Sequence, residues 1–387
     1  MSDSDADAIV VGGGLAGAAA AIAVARAGLK TMHLSPPGPV DRRTSALMMP
    51  SVDYLRRAGL IDNPADIGHA LTQIRIIDAT NRLIRAPETL FDAKEAGLAA
   101  FGWNFANSKL LETFRQAASA LPTLDVRPLS VTGFERRETG AMLTLSDGSQ
   151  VRAPLVIGAD GKKSLIRQAA GFVAREQKFA QSALVCDLEL GRSIGGASIE
   201  FHYPQGPFTL VPAGGKCANL VWIDDTAILQ QANAGGPEHL VELFREKSQR
   251  LFGSIEMVSP SFVFPLSTLT VDRAGAGGVV LLGEAAHAFP PIGAQGLNLS
   301  LRDVADLAEA LAGVDVTTPG WAGPVSSGYA DRRAADQTRT GSMVDALFRS
   351  LLAEMLPAQA MRAGGLWALK LAPRLRERAF SLGMGQR

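Results

Sequence analysis

The stretch "AIVVGGGLAGAAAAIAVAR", Ala8–Arg26, carries no charge before its last position. Eighteen uncharged residues approach the ~20 apolar residues that cross a bilayer. The run therefore reads as a membrane helix, a signal peptide or a nucleotide-binding turn. A signal peptide needs a basic start, whereas this run follows the acidic "MSDSDADA". Three consecutive glycines weaken any helix interior, which argues against a spanning helix. The stretch divides instead into a buried strand, "DAIVV", a tight turn, "GGGLAG", and a small-faced helix closed by Gly28. Gly12, Gly14 and Gly17 then fit G-x-G-x-x-G, with Leu15 and Ala16 inside the turn. Gly12 permits the turn, Gly14 lets the backbone approach a pyrophosphate, and Gly17 lets helix and strand pack closely. A second strand, "LKTMHLS", completes a dinucleotide-binding unit. Its end carries Ser35 where an acid usually holds the ribose hydroxyls, so this half of the motif does not identify the dinucleotide. The nearest acid downstream is Asp41, in a loop.

The chain has 387 residues, 47% hydrophobic and 20% charged, with 38 charges of each sign. That composition suits two domains, or one large domain with an appended part, and excludes a disordered chain. Zero net charge argues against a nucleic-acid binder with a broad basic face. Cys186 and Cys217 stand apart without a CxxC, as free thiols do in a reducing cytoplasm. Five scattered histidines offer no protein-only metal site.

Two later segments narrow the dinucleotide. "PLVIGADGKKSLIRQAAG", residues 154–171, is a strand ending in Asp160 and Gly161, followed by a helix with Ser164 and Arg167. A carboxylate there meets a sugar or phosphate, although a turn capped by aspartate explains "ADG" equally. In "GVVLLGEAAHAFPPIGAQGLNLSLRDVADLAEAL", residues 278–311, a strand leads to Gly283 and Glu284, a Pro/Gly loop, and a helix from about Gly296. Free N–H groups at that helix start suit the negative charge a flavin ring gains on reduction.

Together the three segments resemble the fingerprints of the FAD-dependent aromatic hydroxylases with the p-hydroxybenzoate hydroxylase fold. "DRRTSALMMPSVDYLRRAGL" (41–60), "FGWNFANSKLLETF" (101–114), "GPFTLVP…NLVW" (206–222) and the C-terminal tail are similar to segments of the ubiquinone-biosynthesis flavin hydroxylases. The resemblance covers almost the whole chain. It implies an α/β fold: a Rossmann-like FAD-binding domain (1–71, 99–175 and 267–345), an inserted antiparallel-sheet substrate domain (72–98 and 176–266), and a helical C-terminal region (346–387). It also implies that Gly12, Gly14, Gly17 and Arg43 meet FAD, with Leu15, Ala16 and Ser35 beside them. Asp160 and Gly161 would contact FAD and take part in NAD(P)H handling. Gly283 and Glu284 would hold its ribityl or ribose part, and Pro291, Gly293, Gly296, Leu297 and Asn298 would cup the isoalloxazine. Three positions depart from the family pattern: Ser35, Ser108 and Glu284.

The implied reaction is monooxygenation of an electron-rich ring by O2 through a flavin C4a-hydroperoxide, with NAD(P)H as electron donor. No side chain need act as nucleophile, and none identifies itself as catalytic. In the substrate sheet His202, Phe208, Val211 and Trp222, with Pro291 from the loop, are candidate substrate contacts, each also explicable by core packing. Residues 356–387 hold six basic residues against one acid, Glu377, among leucines and Trp367. Such a segment suits a membrane surface, a partner protein or docking on the chain's own core. The expected substrate is a polyprenylated phenol of ubiquinone biosynthesis, met by a cytoplasmic enzyme at the inner face of the membrane. Homo-oligomerisation is compatible with the sequence. A small soluble aromatic substrate and a catalytically silent scaffold subunit are the alternatives.

Overall fold

A computed structural model describes residues 4–80 and 86–352. The opening stretch forms the strand Ala8–Val11 and the helix Leu15–Arg26. Ala18 to Ile22, Val24 and Ala25 of that helix are all buried. A helix apolar on every side sits inside a core, which explains the absence of charge. Among the described residues no helix is long and apolar enough to cross a membrane.

The helix packs on a six-stranded sheet, ordered Gly275–Ala276, Val279–Leu281, Leu155–Gly158, Ala8–Val11, Thr31–Leu34 and Leu124–Arg127. Every pairing is parallel except the first hairpin. Val10 stands opposite both Ile157 and His33, so the ends of three motif-bearing strands lie side by side. In such a sheet, ligands bind beyond the carboxyl ends of the strands. The helices Asn107–Ser119 and Gln295–Leu311 pack beside Leu15–Arg26.

The other large sheet runs Ala197–Tyr203, Gly206–Pro212, Cys217–Asp225, Ala174–Leu190 and Phe262–Val271 in antiparallel order. The strands from 176–266 pair antiparallel, as expected, and the earlier insertion adds to this sheet. Gln73–Asp78 joins Ala197–Tyr203 in parallel, because it enters from the earlier insertion rather than through a hairpin. Two helices, Thr226–Ala234 and Gly236–Lys247, cover one face of this sheet. Their Leu229, Leu240 and Phe244 pack on Leu184, Phe208, Leu210, Leu220 and Trp222. Strand side chains alternate, so Val185, Asp187, Asn219, Val221, Ile223 and Val211 occupy the opposite face. There Ala183, Ile223 and Leu266 cluster with Ile292 of the Pro/Gly loop.

A buried ionic cluster ties the last described helix, Ala322–Leu352, to the loop helix. Arg333, fully buried, pairs with Asp303, Asp306 and Asp336 at 2.7 Å each. Asp303 also bonds His287 at 2.6 Å and accepts from the Gly283 N–H at 2.9 Å. Burial raises the Asp336 carboxyl, but Arg302 and Arg333 outweigh it and bring the pKa down to about 2. Removing one partner of a buried ion pair strands its counter-charges. Arg333→Met should therefore cost about 3–5 kcal/mol in chemical denaturation. A depressed folded-state pKa adds stability above the unfolded value and loses it as pH falls. The wild-type contribution of Asp336 should accordingly fade from pH 3.8 toward about 2, and a pH-independent cost of Arg333→Met would contradict this.

Candidate active site

Three glycines of the first turn play separate parts. Gly12 has φ +131°, and a Cβ on it would lie 2.1 Å from the Ala159 carbonyl oxygen. A Cβ on Gly17 would lie 2.0 Å from the Gly12 oxygen. Both must lack a side chain for the chain to fold. Gly14 has an ordinary φ of −78°, and nothing lies within 4 Å of its added Cβ. Its missing side chain serves open space. Gly14 also begins the helix, which has no side-chain cap. First-turn N–H groups without intrahelical partners attract an anion.

His33 was not singled out by the sequence. Its Nε2 lies 2.9 Å from the Gly12 oxygen, and burial lowers its pKa. The neutral ring thus donates to that carbonyl and braces the turn from the neighbouring strand.

Direct contacts bring the three motif segments together. Gly12 abuts Ala159, just before Asp160. Gly283 abuts Ala16, whose Cβ would be 3.1 Å from a Cβ on the glycine. The buried Arg167 donates to the Ala285 oxygen at 3.0 Å and to the Lys162 oxygen at 2.6 Å. Asp160 accepts from Ser164 Oγ at 2.5 Å and the Ile166 N–H at 3.1 Å. Ser164 caps the helix Leu165–Ala169 and Asp160 takes one more first-turn N–H, while Gly161 beside it faces open space.

The loop after Gly283 ends at Ala294, a non-glycine residue with φ +53°. Strain of this kind persists where the surroundings impose it, and it is enriched at functional sites. Ala294 starts the helix Gln295–Leu311, again without a side-chain cap. Pro291, Gly293 and Gly296 are exposed, and Leu297 is half-buried. Asn298 turns inward, donating to the Ala46 and Ala294 oxygens and accepting from the Met48 N–H. Its side chain holds the loop helix against the strand Thr44–Met48.

Arg43 makes a two-point pair with Asp41, Nε and Nη2 each at 2.9 Å. Asp41 also accepts from Asn107, beside Ser108. Burial raises the Asp41 carboxyl, but hydrogen bonds from Arg43 and Asn107 prevail and hold it below the usual range. Asp41 is thus committed to Arg43. The exposed Glu284 lies near enough to add to the raised pKa of Arg43, whose largest cause is the bond to Asp41. Ser35 opens on a separate cleft of about 550 Å³, shared with Gly13, His33, Pro36, Phe114 and Arg115. No acid lines it. Arg115 escaped the sequence reading because it sits eighty residues from Ser35, on another element.

The substrate candidates divide between the two faces of the large sheet. Phe208 and Trp222 are 0% and 1% exposed and pack around Phe244 under the helices. They present no open surface to a substrate, a correction to the expectation that they line a pocket. Val211 lies on the opposite face, half-buried and paired in register with Asn219. His202 has its Nε2 3.3 Å from Glu200. His287, the histidine nearest the loop, is taken up by Asp303.

Residues 5–325 match the family model described as FAD binding domain. The ubiquinone hydroxylase UbiL of Rhodospirillum rubrum is 30% identical, over 95% of this chain and 87% of its own length. The 3-demethoxyubiquinol 3-hydroxylase of Escherichia coli is 29% identical over the full length of both chains. The crystal structure of p-nitrophenol 4-monooxygenase PnpA from Pseudomonas putida superposes with a TM-score of 0.78, covering 98% of each chain at 20% identity. That likeness carries the fold, and the sequence matches carry the family. The chain belongs to the FAD-binding-domain family of flavin-dependent monooxygenases, together with the ubiquinone hydroxylases.

Proposed function

We propose that this chain hydroxylates a polyprenylated phenol in ubiquinone biosynthesis, using bound FAD, O2 and NAD(P)H. The observation that carries this reading is the convergence of two uncapped helix starts, at Gly14 and Ala294, on segments joined by Gly12–Ala159 and Ala16–Gly283 contacts. One start suits a pyrophosphate, and the other suits the charge gained by a reduced flavin ring. FAD fits this donor set, because the space left at Gly14 and the free N–H groups serve no packing need.

In this reading the turn Gly12–Gly17 and Arg43 hold the pyrophosphate. The Ser35 cleft, with Arg115, takes the adenosine end. Asp160, Gly161, Gly283 and Glu284 line the middle of the cofactor, and Pro291, Gly293, Gly296, Leu297 and Asn298 border the ring. FAD, when bound and reduced, supplies the activation of O2. The chain contributes orientation, exclusion of water and fixed N–H donors.

The sheet face away from the two helices favours a polyprenylated substrate over a small aromatic acid. Val185, Val211 and Val221 of that face are aliphatic and partly exposed, while Ala183 and Ile223 are buried against Leu266 and the loop residue Ile292. Contact of the basic tail, 356–387, with the inner face of the membrane would deliver a lipid-borne substrate. That tail lies outside the described residues.

Gly14→Val should leave the unfolding midpoint close to wild type yet weaken FAD binding at least about tenfold, a loss of ~1.4 kcal/mol, read by flavin titration. Gly12→Val should instead prevent folding, and equal FAD affinity in wild type and Gly14→Val would contradict the assignment of the turn. Deleting the gene should cause a polyprenylated precursor lacking one ring hydroxyl to accumulate, seen by quinone profiling. A normal quinone profile would remove the substrate assignment.

A further inference from the structure

Asn104 is 3% exposed and stands where the two halves of the molecule meet. Within its own small sheet it pairs in register with Ala46, whose carbonyl is held by Asn298 of the loop helix. Across the gap its Nδ2 donates to Asn219 Oδ1 at 2.7 Å and to the Pro212 oxygen at 3.0 Å. Asn219 Nδ2 in turn donates to Asp187 Oδ1 at 2.5 Å. Two acceptors around one Nδ2 fix the orientation of the Asn104 amide. Its Oδ1 is then left buried without a hydrogen-bond partner among the described residues.

A buried acceptor without a partner loses its hydration and gains nothing in exchange, so such atoms call for an explanation. The neighbourhood supplies one. Val211 and Val221 flank Asn219 on the sheet face away from the helices, and Ala183 and Ile223 further along that face meet the loop at Ile292. Beside these aliphatic side chains one unpaired acceptor is thus buried, at the end of a directed chain that starts on a carboxylate. Hydrogen bonds polarise one another along such a chain, so the charge of Asp187 strengthens the acceptor at Asn104.

We propose that Asn104 Oδ1 accepts a hydrogen bond from the ring hydroxyl of a phenolic substrate, with Asn219 and Asp187 as positioning residues behind it. This rests on the hydroxylase reading above and names the group by which that site selects its substrate. The proton stays on the substrate oxygen. Donation to a polarised acceptor raises the electron density of the ring, which favours electrophilic oxygen transfer to it. An ether, which cannot donate, would leave Oδ1 unpaired and be discriminated against.

The test compares 2-prenylphenol with its methyl ether by calorimetric titration of the FAD-loaded full chain. Wild type should bind the phenol about tenfold tighter than the ether. Asn104→Leu should bind the two equally while retaining FAD. Asp187→Asn, which keeps the acceptor but removes the charge, should reduce the preference to roughly threefold. Equal binding by wild type overturns the proposal without any variant. A full preference in Asn104→Leu overturns it as well. In both cases FAD binding and product formation would leave the hydroxylase reading standing. If wild type binds neither compound and makes no hydroxylated product, both readings fall.

Discussion

The carbonyl oxygen of Ala159 leaves no room for a side chain at position 12, and the architecture follows from that contact. It brings the first turn against the second motif, and Gly283 against Ala16 closes the third onto the first. Segments from three distant parts of the chain therefore end at one edge of a parallel sheet. Backbone approaches this tight need glycine, and they also free N–H groups that a side chain would otherwise crowd or cap. Packing and ligand binding here have one origin. Behind the edge, Arg333 among three aspartates holds the loop helix and the last described helix in register.

The parts legible in the sequence were those written in local patterns. Strand, turn and helix at Ala8–Arg26 follow from an uncharged run interrupted by glycines, and the strands before Asp160 and Gly283 follow from short apolar runs. Less legible were the partners of single polar groups. Nothing near position 33 indicates that its imidazole donates to Gly12, and nothing near position 115 places its guanidinium by Ser35. Such pairs join residues far apart in the chain, so no period or spacing records them. Asp160 shows the same limit from the other side. The sequence left it as either a ligand contact or a cap, and in the structure it accepts from the Ser164 hydroxyl and from one first-turn N–H, that of Ile166.

The large sheet shows how a face is assigned. Phe208, Val211 and Trp222 all looked suited to a pocket, being apolar and in adjacent strands. Alternation separates them, because even-numbered positions there point under the helices Thr226–Ala234 and Gly236–Lys247, which the sequence reading did not anticipate. The opposite face keeps aliphatic side chains and the polar chain Asp187–Asn219–Asn104. A surface of that kind suits a greasy ring compound carrying one hydroxyl better than a charged acid.

The account stands or falls on whether the chain, loaded with FAD, places an oxygen atom from O2 on a phenolic ring. The direct measurement supplies 18O2, NADPH and a prenylated phenol to the FAD-loaded protein and weighs the product by mass spectrometry. The account predicts a product heavier by a single 18O atom, formed only when FAD is bound. NADPH consumption with an unlabelled, unchanged phenol would contradict it.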